Sequence, residues 1–319
     1  MSFNQFTNLD FAALRQQIKD YLRVNSDFAD FDFEGSNFST LIDLLAYNTY
    51  ITAYNTNMAV NECFLDSATL RENVVSLARN IGYVPRSARS AMATINFSVN
   101  LGDNDTRILT LKAGQVALGN QVGGSYIFSI PDDFVATAGD NNVAVFNNLN
   151  IYEGVYLQKS FQIDYSQPNQ RFILPNANID TTSIRVTVTS TTSEIYTLYD
   201  NILRVDAESK LFLIQEIEDE HYEILFGDGI LGKKPPSGAI VNVSYIVSNG
   251  RAGNDAKNFS FIGILEDDRG LSVTSGISVI QTANKASMGD DIEDISSIKY
   301  LAPRIYSSQY RAVTASDYS

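Results

Sequence analysis

No tryptophan occurs in the 319 residues, and cysteine and histidine occur once each, as Cys63 and His221. A single cysteine excludes an intrachain disulfide, and a single histidine excludes a zinc site built on several histidines of one chain. Cys63 with His221 is the sole thiol–imidazole pair available, and it would have to join a helical stretch to an acidic turn. Serine catalysis would need the same histidine, and no Gly-x-Ser-x-Gly elbow is present. Between Glu62 and Phe64, Cys63 reads as a buried, inert thiol. Basic charge is also scarce: 23 Lys and Arg face 37 Asp and Glu, a formal net charge of −14. Such a surface repels phosphate backbones, so nucleic acid is not an expected partner. No apolar run reaches the roughly 18 residues of a membrane span, and residues 1–20 lack the pattern of a secretion signal. The expected product is soluble, has no membrane partner and is made in a reducing cytoplasm.

What is present suffices for folding, since 44% of residues are hydrophobic, enough for two or three cores. The first 90 residues have helical periodicity. Asn8 or Asp10 is placed to cap a helix with Phe11, Leu14, Ile18 and Leu22 on one face. An acidic, aromatic linker, Asp27 to Gly35, precedes the longest helical pattern, Phe38 to Leu65, which contains no Pro or Gly. Its apolar positions Leu44, Tyr47, Ile51, Tyr54, Met58 and Leu65 are spaced 3-4-3-4-7, with Asn61 at the missing step. That is a heptad seam. It could pack on the neighbouring helices of the same chain, but its tyrosines suit an interface with another chain, and Asn61 would then set register. A third helix is expected from Asp66 or Ser67 to a stop at Gly82.

From Ala91 the period changes to two. Ile95, Phe97, Val99 and Leu101 alternate with polar residues, and short strands are predicted at 108–111, 125–130, 143–146, 152–161, 171–174, 183–188, 211–214, 222–226 and 239–247. A connector, Gly270 to Gly289, leads to a final helix from Ile292, predicted to break at Pro303.

Gly227, Gly229 and Gly232 in FGDGILGKKPPSG spell Gly-x-Gly-x-x-Gly. A dinucleotide loop needs a helix after the glycines, and Pro235-Pro236 forbids one. Gly227, Asp228, Gly229 and Gly232 are therefore read as a structural turn, and no cofactor is expected. Carboxylates cluster at Glu216, Glu218, Asp219, Glu220 and Glu223, and again at Glu266 to Asp268. They lack calcium-loop spacing and read as solvated turns, so no metal site is predicted. A glycan-cleaving protein would need two of them, such as Glu218 and Glu223, facing across a cleft. A glycan-binding one would need aromatic platforms. Both remain as alternatives.

Four segments resemble one family. FLDSATLRENVVSLARNIGYVPRSARSA (Phe64–Ala91) and YEILFGDGILGKKPPSGAIVNVSYIVSNGRAGN (Tyr222–Asn254) are similar to blocks of the baseplate J-like proteins of contractile-tailed phages. IYEGVYLQKSF (Ile151–Phe161) and IEDISSIKYLAPRIYSSQYRAVTASDY (Ile292–Tyr318) fit in the same order. The helical first third points to the myovirus wedge branch. The resemblance implies an α+β fold with no reaction and no cofactor. Residues 1–90 would be a helical, bundle-forming region and 91–265 a β-rich body with FGDG at a hairpin turn. Residues 266–319 would be a connector and the start of a C-terminal domain truncated at Ser319, since family members continue beyond it. The implied partners are a second wedge protein in a helix bundle, a second copy of the chain in each wedge, neighbouring wedges and a sheath-initiator-like protein. The implied location is the tail baseplate of the virion, as part of an inner ring around the hub, after assembly in the host cytoplasm.

Overall fold

The computed structural model describes residues 9–25, 37–102, 106–121, 124–139, 141–167, 169–199 and 205–308. The linker Asp27 to Gly35 and the ending RAVTASDYS lie outside the described residues. The chain is α+β and divides into two units, Met1–Pro85 with Asp294–Ser319, and Arg86–Glu293.

The first unit is helical: α1 (Phe11–Asn25), α2 (Asn37–Asn61), α3 (Arg71–Asn80) and α4 (Ile295–Ser308). Asp10 caps α1 by accepting from Ala13 N at 3.1 Å. α1 lies along α2, where Arg15 pairs with Asp43. α3 packs on α4, and Val74, Val75 and Ala78 share a core with Ile298 and Ala302. Burying such side chains stabilises by roughly 1.5–3 kcal/mol each for the larger ones.

Three boundaries differ from the periodicity. α2 ends at Asn61, before Leu65, because Ser67 Oγ donates to Asn61 O at 2.7 Å and the chain turns there. α3 starts at Arg71 rather than near Ser67, and its missing N-cap is replaced by Glu62 from the end of α2. The Glu62 carboxylate accepts from Thr69 N (2.8 Å), Thr69 Oγ1 (2.5 Å), Leu70 N (3.3 Å) and Asn73 Nδ2 (2.9 Å). α4 runs through Pro303 instead of breaking. Ile298 and Ala302 before the proline and Ile305 after it all belong to the α3–α4 core, so packing carries the helix across the lost hydrogen bond.

The second unit opens with β1 (Met92–Asn100), β2 (Ile108–Leu111), β3 (Gly114–Gln121), β4 (Gly124–Ile130), β5 (Phe134–Thr137) and β6 (Val143–Glu153). It continues with β7 (Val155–Gln162), β8 (Phe172–Leu174), β9 (Ile179–Thr189), β10 (Ser193–Leu198) and β11 (Leu211–Glu216). It ends with β12 (Tyr222–Phe226), β13 (Ile240–Val247), β14 (Lys257–Phe261), β15 (Leu265–Asp267) and β16 (Gln281–Ser287). One sheet runs β14-β3-β4-β6-β1-β16. Its ends meet through Asp255 N to Ala286 O (2.7 Å) and Ala286 N to Ala256 O (3.0 Å), giving a barrel-like closure. Phe97 stacks on Phe146 inside it, and Leu109, Leu111 and Leu265 of the small sheet β15-β2-β5 join the same core.

The other large sheet runs β7-β13-β9-β10-β11-β12-β8, antiparallel except for β10 with β11. It too curls. Phe161 of β7 meets Phe172 of β8 edge to face at 5.7 Å, and Gln170 Nε2 donates to Gln162 O. Its core holds Tyr196, Phe212, Ile224, Val241 and Tyr245. Alternation predicts one strand over 152–161, but the structure breaks it at Gly154, where the chain leaves the first sheet and enters the second. Gly154 has φ 130°, and a Cβ there would lie 2.4 Å from Val247 O. The expected connector 270–289 contains β16, which pairs with β1.

Two outcomes follow from these contacts. Gly154→Ala is expected to destabilise the β-rich unit by about 1–3 kcal/mol, read as a lower urea midpoint. At Glu62, burial alone would raise the carboxyl pKa, but the bonds from Thr69, Asn73 and Leu70 hold it below the ordinary carboxylate range. A depressed folded value means that the stabilisation is complete above the unfolded pKa and lost as pH falls through the folded one. Glu62→Ala should therefore cost about 0.5–2 kcal/mol at neutral pH, with the difference from wild type shrinking in acid, as followed by circular dichroism.

Candidate functional site

Of the predicted seam residues, Leu44, Tyr47, Ile51 and Tyr54 project into solvent, with 62%, 57%, 36% and 44% of their surfaces exposed. Met58 is half-buried. Asn61 is turned inward, 2% exposed, donating from Nδ2 to Asn57 O at 2.7 Å. Leu65, beyond the end of α2, packs against the α3–α4 core. The helix buries the opposite side, Ser39, Ile42, Ala46 and Asn57. α2 therefore presents to its own chain small and polar residues together with Ile42, and turns most of its large apolar ones outward. Phe38, Leu41 and Leu45 widen the open face.

The threonines among these residues are already satisfied. Thr49, Thr52 and Thr56 hydroxyls donate to the carbonyls four residues earlier, Leu45 O, Asn48 O and Thr52 O, each at 2.8 Å. A hydroxyl bonded to its own helix can be covered by another apolar surface without leaving an orphan donor. The face thus combines exposed aliphatic and aromatic area with threonine hydroxyls whose donors are already used.

The FGDG segment is a built turn. Asp228 Oδ1 accepts from Ile230 N (2.8 Å) and Leu231 N (2.9 Å), and these backbone bonds lower its carboxyl pKa. Gly229 N donates to Gly232 O at 3.0 Å, with φ of 91° and 87° at the two glycines. A Cβ on Gly227 would lie 2.3 Å from Gly232 C. The expected hairpin is absent, since β9, β10 and β11 separate β12 from β13 in the sheet. The prolines are the reason. Pro235 and Pro236 have no N–H for a ladder, and the segment instead crosses an end of the sheet. There Pro235 O accepts from Tyr165 Oη at 2.6 Å and Lys233 Nζ binds Glu194.

The acidic stretch 217–221 is the β11–β12 turn, with Asp219 and Glu220 at φ of 56° and 59°. Glu218 is exposed there, while Glu223 is buried with both oxygens on Arg171, at 2.9 and 2.8 Å. His221 closes the same turn, its N–H donating to Glu218 O at 3.2 Å. Cys63 is exposed, not buried, because the chain has left α2 at that point and the thiol sits on the turn. Among the described residues no group of three His, Cys, Asp or Glu is arranged to hold a metal.

Sequence reasoning missed a buried carboxylate. Glu153, with no exposed surface, accepts from Ser248 Oγ (2.9 Å), Asn249 N (3.0 Å) and Asn249 Nδ2 (2.7 Å). From there the loop Ser248–Asn254 reaches the segment after β16. Asn254 exchanges two hydrogen bonds with Gly289, and Arg251 Nε donates to Asp290 at 2.6 Å. The Arg251 bond and the charge of Arg86 together outweigh burial and lower the pKa of Asp290. In sequence, Glu153 is one acid at the end of an alternating strand, and only the following glycine hints at a special position.

A model of the helical domain of gp6-like baseplate wedge proteins matches residues 10–83, and a model of the third domain of the bacteriophage baseplate wedge protein gp6 matches residues 159–251. Baseplate wedge protein gp6 of Enterobacteria phage T4 is 29% identical over 331 residues, covering 98% of this chain and 49% of that protein. The chain thus spans about half the length of that curated relative. A chain in the cryo-EM structure of the anti-feeding prophage baseplate is 13% identical at a TM-score of 0.32, covering 98% of this chain and 63% of its own, a likeness too slight to establish a shared arrangement. Two domain models in this order, with similarity running nearly end to end, place the chain in the gp6-like baseplate wedge family.

Proposed function

We propose that the chain is a structural component of a contractile-tail baseplate wedge, residing in the virion, whose α2 joins an intermolecular helix bundle. One observation carries this reading: α2 exposes Leu44, Tyr47, Ile51 and Tyr54 together on its outer side. Among the described residues its own chain covers the side of Ser39, Ile42, Ala46 and Asn57, and contiguous apolar surface left exposed marks an interaction site. The similarity to baseplate wedge proteins supports a position beside other chains, one of which would cover the open side. That partner is a second wedge protein, with a second copy of this chain in the same bundle. Residues 1–90 then act as the bundle-forming region. The β-rich body, 91–265, acts as a scaffold that contributes to an inner ring around the hub and meets neighbouring wedges. The FGDG turn serves the body as a brace and binds no nucleotide.

The test is a double substitution, Leu44→Asp with Ile51→Asp. Both residues are exposed in the isolated chain, so its urea midpoint should shift by no more than about 0.5 kcal/mol equivalent. Incorporation into gradient-purified particles, quantified by peptide mass spectrometry, should collapse. Normal incorporation of the double variant would sink the bundle role, and absence of the wild-type chain from particles would sink the baseplate reading.

A further inference from the structure

The loop after β13 contains the one Asn-Gly dipeptide of the chain, Asn249-Gly250. In an unrestrained chain this pair degrades without a catalyst. The Gly250 nitrogen attacks Asn249 Cγ, the bond from Cγ to the side-chain nitrogen breaks, and that nitrogen leaves as ammonia with the proton of the Gly250 amide. Water then opens the cyclic imide at either carbonyl and leaves aspartate or isoaspartate. Glycine favours the attack because no side chain shields its nitrogen, and asparagine is among the thermolabile residues for such reasons.

Both reacting nitrogens are held here. Gly250 N donates to Ser248 Oγ at 3.0 Å. Asn249 Nδ2, the leaving nitrogen, donates to Glu153 Oε1 at 2.7 Å, and Ser248 Oγ donates to Glu153 Oε2 at 2.9 Å. One buried carboxylate thus restrains the leaving group directly and the attacking nitrogen through Ser248. The backbone is unsuited as well. Asn249 has φ −92° and ψ 14°, so the Gly250 nitrogen nearly eclipses the nitrogen of Asn249 and is rotated away from Cβ and Cγ. Gly250 is buried against Asp291, where even a Cβ would lie 2.3 Å from Oδ1, so the loop has little room to swing into the reactive geometry.

We propose that Asn249 is a latent deamidation site, kept from ageing by hydrogen bonds from the Asn249-Gly250 dipeptide to Glu153 and Ser248. Its conversion would replace the amide that donates to the buried Glu153 carboxylate with a carboxylate that has no N–H to give. The loop would then lose its anchor. A particle component is not renewed after assembly, which gives such protection a use, but the chemistry does not depend on the baseplate reading.

The test follows aspartate and isoaspartate at position 249 by peptide mapping of the full chain, at neutral pH and one temperature, in native buffer and in urea. Formation in native buffer should be at least about tenfold slower than in urea, since the reaction must await local opening. Ser248→Ala, with a native circular dichroism spectrum, should bring the native rate towards the urea rate. Equal rates for wild type in the two solvents overturn the proposal. A folded Ser248→Ala that ages as slowly as wild type overturns the assignment to these bonds. The comparison of solvents needs no variant, so it decides even if Ser248→Ala does not fold.

Discussion

The β-rich unit is organised around a carboxylate that water does not reach. A buried acid side chain needs hydrogen-bond partners in place of water, and Glu153 has them only when Ser248 and Asn249 bring their donors to it. The requirement propagates. With the loop in place, Asn254 engages Gly289 and Arg251 engages Asp290. Asp290 in turn exchanges backbone hydrogen bonds with Arg89 at the entry to β1. Segments far apart in sequence are therefore registered against one another at the point where β6 gives way to β7.

Much of this was readable from residue pattern, and the failures have physical reasons. The alternation of β1 was plain because Ala93, Ile95, Phe97 and Val99 are all buried on one side. The prolines after FGDG signalled that no helix follows the glycines, and the next element is the strand β13. β16 was illegible because of its seven residues only Ala286 is buried, and its place is set by pairing to β1 rather than by its own sequence. Pro303 misled because local preference lost to the apolar contacts on either side of it. The strand break at Gly154 hid inside a run, YEGVYLQ, that alternates well enough to pass as one element.

α2 shows a different limit. A heptad pattern states that a helix face will be covered and says nothing about by what. The large residues Leu44, Tyr47, Ile51 and Tyr54 drew attention, yet the chain packs its own side with Ile42 and with serine, alanine and asparagine. Small residues allow a close intrachain approach, while the bulky face stays open. Asn61 fits the same heptad but belongs to the inner side, where it helps end the helix. Spacing alone does not distinguish these duties, because consecutive seam positions drift around an α-helix.

The helical unit is discontinuous in the chain: Val74, Val75 and Ala78 complete their core with Ile298 and Ala302, which follow the entire β-rich unit. During synthesis α2 and its exposed apolar face leave the ribosome early, yet the α3–α4 core cannot close until α4 has been made. Non-local contacts of this kind slow folding and leave apolar surface open meanwhile. The same arrangement ties a settled helical unit to a chain translated at least through α4, so an interrupted polypeptide would expose the apolar face of α2 without the core that supports its end.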